Sequence, residues 1–206
     1  MAWYLWFARS SRTRSSRIRR VPGSQRVSRS GEVLYVIVCA AGPAKDVSRL
    51  VSMAQAEGWI VQIIATPAAL AFIEGAALER QTGRPVLSQY RRPDEPKAPR
   101  ADAIIVAPAT YNTVNKFAQG IADTYALGLL SEAPGLGIPV VVMPFVNSAL
   151  AARAPFVRSV EGLRAEGVRV VFGAGQFEPD ASGSGDDLID AYPWKLALAH
   201  LGESGS

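Results

Sequence analysis

The chain reads as an α/β protein, a three-layer Rossmann-like (flavodoxin-like) parallel sheet with helices on both faces, on three observations. Short continuous apolar runs alternate with amphipathic segments, the order that repeated βα units give. The runs at residues 33–38, 103–106 and 138–143 lack polar alternation, as strands buried on both faces do. Prolines and hydroxyl residues stand where these runs end, at Pro43, Thr66-Pro67 and Pro108 to Thr110, and such residues start helices.

Taken in order, the first strand is 33–38. A helix after Pro43 shares Val47, Leu50, Val51 and Ala54 on one face and closes at Gly58. The second strand is 59–65, and Thr66-Pro67 repeats the cap-then-proline start. One short helix reaches Phe72, and a second helical piece runs over 76–81. Gly83 and Pro85 break it before a brief strand at 86–87. The stretch 89–100 is polar, holds Pro93, Pro96 and Pro99, and reads as a loop.

The third strand, from Ala103, stops at Pro108. Thr110 caps a helix with Val114, Phe117, Ala118 and Ile121 on its apolar side. A fourth strand over 138–143 follows the Gly135/Gly137 turn. A helix after Asn147 shares Phe156, Val160 and Leu163, and a fifth strand covers 168–172. Residues 173–187 are glycine- and acid-rich and read as mobile. A last helix spans about 187–201, with Pro193 as a candidate interruption.

Length and composition narrow the function. The 206 residues, 49% hydrophobic, suit one domain with a sizeable core. No uncharged apolar run is long enough to cross a bilayer, so no membrane partner is expected. Cys39 is the single cysteine and His200 the single histidine. A disulfide framework and a cysteine-based metal site are thereby excluded, and a histidine-dependent metal cluster or a Ser-His-Asp triad is not expected.

The net charge of +4 belongs to one end. Residues 1–31 hold eight arginines and no acid, and the remainder carries about −4. The domain itself gives no reason to expect nucleic acid. The apolar start followed by basic residues reverses the order of a secretory signal, and a cytoplasmic location is expected. A transit-type leader, an over-extended translation start and a polyanion-binding arm are readings of this segment; a disordered extension is the favoured one. The domain division is then 1–31 extension, 32–202 domain and 203–206 tail.

In such sheets the ligand crevice lies at the carboxyl ends of the strands. Four strand-to-helix corners meet there: 39–43, 66–69, 108–113 and 144–148. Small, hydroxyl, proline and amide residues build them. Backbone N–H groups and neutral side chains of this kind suit a phosphate and a planar heterocycle, not acid–base hydrolysis. The Gly-x-Gly-x-x-Gly fingerprint is missing after the first strand, which disfavours dinucleotide binding in the usual manner. Thr66 and Thr110 each admit a plain reading as helix caps. Cys39, at the end of an apolar strand, reads as a buried inert thiol before it reads as a nucleophile. His200, near Leu196 and Leu201, reads as a packing or surface residue.

The central block Pro108-Ala109-Thr110-Tyr111-Asn112-Thr113, with Lys116 and Gly120-Ile121-Ala122-Asp123 after it, resembles the Pro-Ala-Thr/Ser-Ala-Asn-Thr segment of the flavin-dependent cysteine decarboxylases. That family includes phosphopantothenoylcysteine decarboxylase and the peptidyl-cysteine decarboxylases of lantibiotic synthesis. The likeness extends over about 33–201 and is most specific in this block. It implies bound FMN, a small-molecule or cysteinyl substrate, and a homo-trimer or an assembly of trimers. Ala40 and Ala41 fall where the family has Gly-Ser/Thr against the flavin phosphate, so only backbone donors remain there. Thr66, Ala69 and Phe72 match the family's second cofactor corner. Pro108, Ala109, Thr110, Asn112, Thr113 and Asp123 match the block that encloses the flavin.

The catalytic positions of the family match less well. Its histidine before the third strand falls at or near Asp94, with no histidine close by. Its Pro-x-Met-Asn-x-x-Met-Trp segment stands here as Pro144-Phe145-Val146-Asn147-Ser148-Ala149-Leu150-Ala151. Asn147 is retained as the carboxylate-binding, catalytic candidate. A flap at 173–187 carries no cysteine. The sequence thus points to an FMN-binding flavoprotein that is not a standard phosphopantothenoylcysteine decarboxylase. If active, it is a decarboxylase-like lyase or an oxidoreductase. A non-catalytic regulatory or scaffold subunit of the same fold is the alternative, and a flavin prenyltransferase is a third reading.

Overall fold

The structure, a computed structural model, describes residues 29–174, 176–178 and 189–202. Most of the basic extension, most of the flap and the tail 203–206 lie outside them.

Five strands form one parallel sheet in the order β2-β1-β3-β4-β5. They are β1 Val33–Val38, β2 Ile60–Ala65, β3 Ala103–Ala109, β4 Val140–Pro144 and β5 Arg169–Val170. The α-helices are α1 Ser48–Ala56, α2 Gly75–Thr82, α3 Tyr111–Ala118, α4 Tyr125–Glu132, α5 Ser148–Ala151, α6 Ala154–Ala165 and α7 Trp194–Gly202. Successive residues of a strand face opposite ways, and β1 serves both sides accordingly. Leu34, Val36 and Val38 meet α1, α2 and α7, while Val33, Tyr35 and Ile37 join the side of α3, α4 and α6. A strand buried on both faces has no use for polar alternation, hence the continuous apolar runs.

Several boundaries differ from the sequence reading, each for a local reason. The helix expected straight after Pro43 begins as a 3-10 turn, Gly42–Asp46, before α1. The helix expected to reach Phe72 is also a 3-10 turn, Pro67–Ala71. The strand expected at 86–87 is a single bridge from Leu87 to Ile64. Pro108 does not stop β3: the strand runs to Ala109, with a register shift after Val106 against β4. The helix after Asn147 comes in two pieces, α5 and α6, because Arg153 is extended and Pro155 restarts the helix. The last continuous helix starts only after Pro193. Helix α4 was not anticipated, since its nearly all-apolar turn, with Gly128 inside it, shows no clean period.

Gly128 has a packing reason. A Cβ there would lie 2.2 Å from the Tyr90 hydroxyl, and the Tyr90 ring meets Tyr125 edge-on at 5.2 Å. This holds the start of the 89–100 loop against α4, and the Tyr35 hydroxyl donates to Pro99 O at 2.6 Å near its end. Across the same layer, Ser159 of α6 donates to Asn115 Oδ1 of α3 at 2.7 Å, and Asn115 Nδ2 donates to Tyr111 O. Both polar side chains are buried.

At the amino edge, Val33 N donates to Asp102 Oδ2 at 2.8 Å, clamping β1 to the start of β3. Arg29 lies 4.7 Å from the centroid of the Trp59 ring, and its guanidinium donates to Leu201 O. The last residues of the basic extension therefore pack on the domain. We expect a chain lacking residues 1–28 to fold with an unchanged melting temperature. Arg29→Ala should cost about 0.5–1 kcal/mol, the usual worth of a partly exposed cation–π contact, read as a fall of a few degrees in thermal unfolding.

Candidate site at the carboxyl edge of the sheet

The four corners are laced together by backbone bonds that reach beyond the regular ladder. Thr66 N donates to Val38 O at 2.9 Å, Cys39 N to Pro108 O at 3.1 Å, and Phe145 N to Ala109 O at 2.8 Å. Thus the ends of β2, β1, β3 and β4 form one continuous rim. The strand order reverses direction between β1 and β3, the point where open α/β sheets bind their ligands.

At the first corner, Ala41 N turns back to Cys39 O. The amides of Ala40 and Gly42 meet no acceptor among the described residues. Ala40 and Ala41 present no side-chain donors, as expected. Gly42 is needed for space: a Cβ there would lie 2.6 Å from Ile189 Cδ1.

At the second corner the two threonines part ways. Thr66 is extended and makes no side-chain cap, so its half-buried hydroxyl meets no partner among the described residues. Ala69 is fully buried beneath it, while Leu70 and Phe72 stand 48% and 46% exposed and offer an apolar wall beside the rim.

At the third corner Thr110 does cap: Thr113 N donates to Thr110 Oγ1 at 3.4 Å, and the two hydroxyls lie 3.0 Å apart. Pro108 and Ala109 are buried, Thr110 is half-buried and Asn112 is exposed at the helix start. Thr113 is buried and takes a hydrogen bond from Cys39 Sγ at 3.3 Å, a contact that sequence spacing could not reveal. Burial pushes the Cys39 thiol pKa up, although its contacts with Thr113 and Thr110 pull the other way. Cys39 is a buried thiol.

At the fourth corner Asn147 caps the short helix α5, its Oδ1 accepting from Leu150 N at 2.9 Å. The amide nitrogen remains turned to solvent on an exposed side chain. Phe145 packs against Phe177 and Tyr192, and the Tyr192 hydroxyl donates to Met143 O. This aromatic support under the rim was not anticipated, because its members are distant in sequence.

Asp123 stands apart. It is exposed beyond the far end of α3, which at 1.5 Å per residue is about 12 Å long. There it pairs with Lys116 at 2.5 Å. Asp94 is exposed on the loop tip braced by Arg91, whose guanidinium donates to Pro93 O and Glu95 O. His200 lies on α7, in its last turn. No group of three or more metal-ligating side chains occurs among the described residues. The rim therefore supplies neutral donors and an apolar wall, which fit a phosphate-bearing planar ring system.

The model of the family described as Flavoprotein matches residues 24–188. A dihydromethanopterin reductase (acceptor) of Methanosarcina mazei is 40% identical over 58 residues, 28% of this chain and 24% of that protein. A probable phosphopantothenoylcysteine decarboxylase of Streptococcus mutans is 30% identical over 100 residues, 45% of this chain and 55% of that protein. The chain thus matches about a quarter and about half the length of these two relatives. The FMN-dependent cysteine decarboxylase SpaF shares the fold at 22% identity, with a TM-score of 0.61 over 82% of this chain and 98% of that one.

The two threonines separate by measurement. Thr110→Val should lower stability by about 1 kcal/mol through the lost helix cap. Thr66→Val should leave the melting temperature of the ligand-free protein unchanged, since the Thr66 hydroxyl supports nothing in the fold. A destabilised Thr66→Val would place that hydroxyl in the scaffold.

Proposed function

Because the chain belongs to the flavoprotein family, we propose that it binds FMN along the rim formed by Ala40, Ala41, Thr66, Ala69, Phe72, Pro108, Ala109, Thr110, Asn112 and Thr113. The observation that carries this reading is that, among the described residues, the Thr66 hydroxyl and the amides of Ala40 and Gly42 meet no hydrogen-bond partner, at corners built of uncharged side chains. Backbone amides take the phosphate, and the Leu70 and Phe72 wall takes apolar ring surface. The similarity to FMN-dependent enzymes supports FMN over other flavins. Asp123, paired with Lys116, is assigned to the same site, and the assembly proposed is a homo-trimer or an assembly of trimers. The location proposed is cytoplasmic.

Bound flavin supplies two-electron oxidation or reduction. This chain's contribution is binding and orientation: Asn147, with its Oδ1 held by Leu150 N, presents its amide nitrogen to a substrate carboxylate. The corner residues include no side chain that exchanges protons near neutral pH, and Cys39 is held as a thiol. With no histidine at the Asp94 position, side-chain proton transfer to a cysteinyl substrate lacks its family agent. This favours redox turnover of another small molecule over standard decarboxylation, and the partial match to a reductase supports the same direction.

Titration with FMN, followed by quenching of flavin fluorescence, tests the binding. Saturable quenching at one FMN per chain is expected, and a chain that leaves the fluorescence unchanged overturns the reading. Asn112→Ala should weaken FMN about tenfold, the order of one lost ligand hydrogen bond, with the melting temperature of the ligand-free protein retained. Incubated with phosphopantothenoylcysteine, the FMN-loaded protein should release no carbon dioxide at an enzyme-like rate; release at about 1 per second or faster would restore the decarboxylase assignment.

A further inference from the structure

We propose that Cys39, although buried below the rim, is a positioning residue that turns the Thr110 hydroxyl into an outward hydrogen-bond donor at the β1/β3 switch point, so that the bound flavin presents an acceptor atom there. This rests on the flavin reading above and concerns residues of this chain alone.

The direction follows from the buried partners. Cys39 is 1% exposed and, held as a thiol, has an S–H to donate; Thr113 Oγ1 receives it at 3.3 Å. Thr113 is 7% exposed, and a buried hydroxyl hydrogen needs an acceptor. Thr110 Oγ1, 3.0 Å away, is the oxygen within reach. Thr110 Oγ1 also accepts from Thr113 N, so both of its lone pairs are taken. Its one remaining function is to donate.

Inside the corner that hydrogen can point back only toward the sulfur, which Thr110 also faces and which is a weak acceptor. A flavin carbonyl, ring nitrogen or phosphate oxygen in the crevice is a stronger one and draws the hydrogen outward. Were the thiol missing, the vacant lone pair of Thr113 would compete for the same hydrogen and turn it inward.

Cys39 acts through Thr110 in this account, so a double-mutant cycle tests it. Cys39→Val fills the space without a donor and should weaken FMN about fivefold, the order of one hydrogen bond misdirected. Cys39→Ser keeps a donor and should restore most of the affinity. In a Thr110→Val background, Cys39→Val should have no further effect; in a Thr110→Ser background its effect should return. Titrating riboflavin beside FMN places the acceptor, on the ring if both weaken and on the phosphate if FMN alone does. Equal losses from Cys39→Val with and without Thr110, or no loss in either, overturn the proposal as a packing effect. A parent chain that takes up no FMN overturns the flavin reading itself, whereas a parent that binds but gives an additive cycle overturns only this one.

Discussion

The site depends on a backbone constraint at the end of β3. Past Val106 the strand shifts register against β4 and carries on through Pro108 to Ala109. Successive carbonyls of a strand face opposite neighbours, and here both are used: Pro108 O receives Cys39 N from β1, and Ala109 O receives Phe145 N from β4. Proline fits here because its missing N–H is not called on while its carbonyl is. One short stretch thereby fixes three corners relative to one another. The fourth is fixed through Thr66 N on Val38 O. A rim held by main-chain bonds tolerates side-chain replacement, which is why alanines at positions 40 and 41 leave its shape intact.

Much of this was legible in the sequence, for physical reasons. Strands buried on both faces must be apolar throughout, so β1, β3 and β4 declared themselves. Pro43, Pro67 and Thr110 marked the turns after β1, β2 and β3. The Thr110 to Thr113 spacing is that of a capping hydroxyl and the amide it receives, and both residues proved to be bonded as that spacing implies. The uncertain parts were those decided by distant contacts. Helix α4 is apolar on too many sides to show a period, and Gly128 makes sense only once Tyr90 is seen beside it. Strands at 168–172 and 86–87 were expected, but their extents, two residues in β5 and a single bridge at Leu87, are set by what lies next to them. Local sequence does not encode that.

The candidate residues divide in the same way. The resemblance assigned eleven residues to the cofactor, but it could not tell a threonine that holds up a helix from one that does not. Thr110 and Thr66 look alike in sequence and differ in their hydrogen bonding. Nor could it reveal that Asp123 is paired with Lys116. The Cys39 to Thr113 bond joins residues 74 positions apart, beyond the reach of any spacing argument.

The loop between β2 and β3 is fastened by Tyr90 in the Gly128 notch near one end and by the Tyr35 hydroxyl on Pro99 O near the other. Residues 91–96 lie between these fastenings, and the turn at 91–95 is braced by its own carbonyls and Glu95. Substitutions in that interval leave both anchorages, and the strands they serve, untouched. Natural selection can therefore rewrite this interval on its own account. A lineage can exchange an exposed side chain such as Asp94 there without risking the fold that carries it.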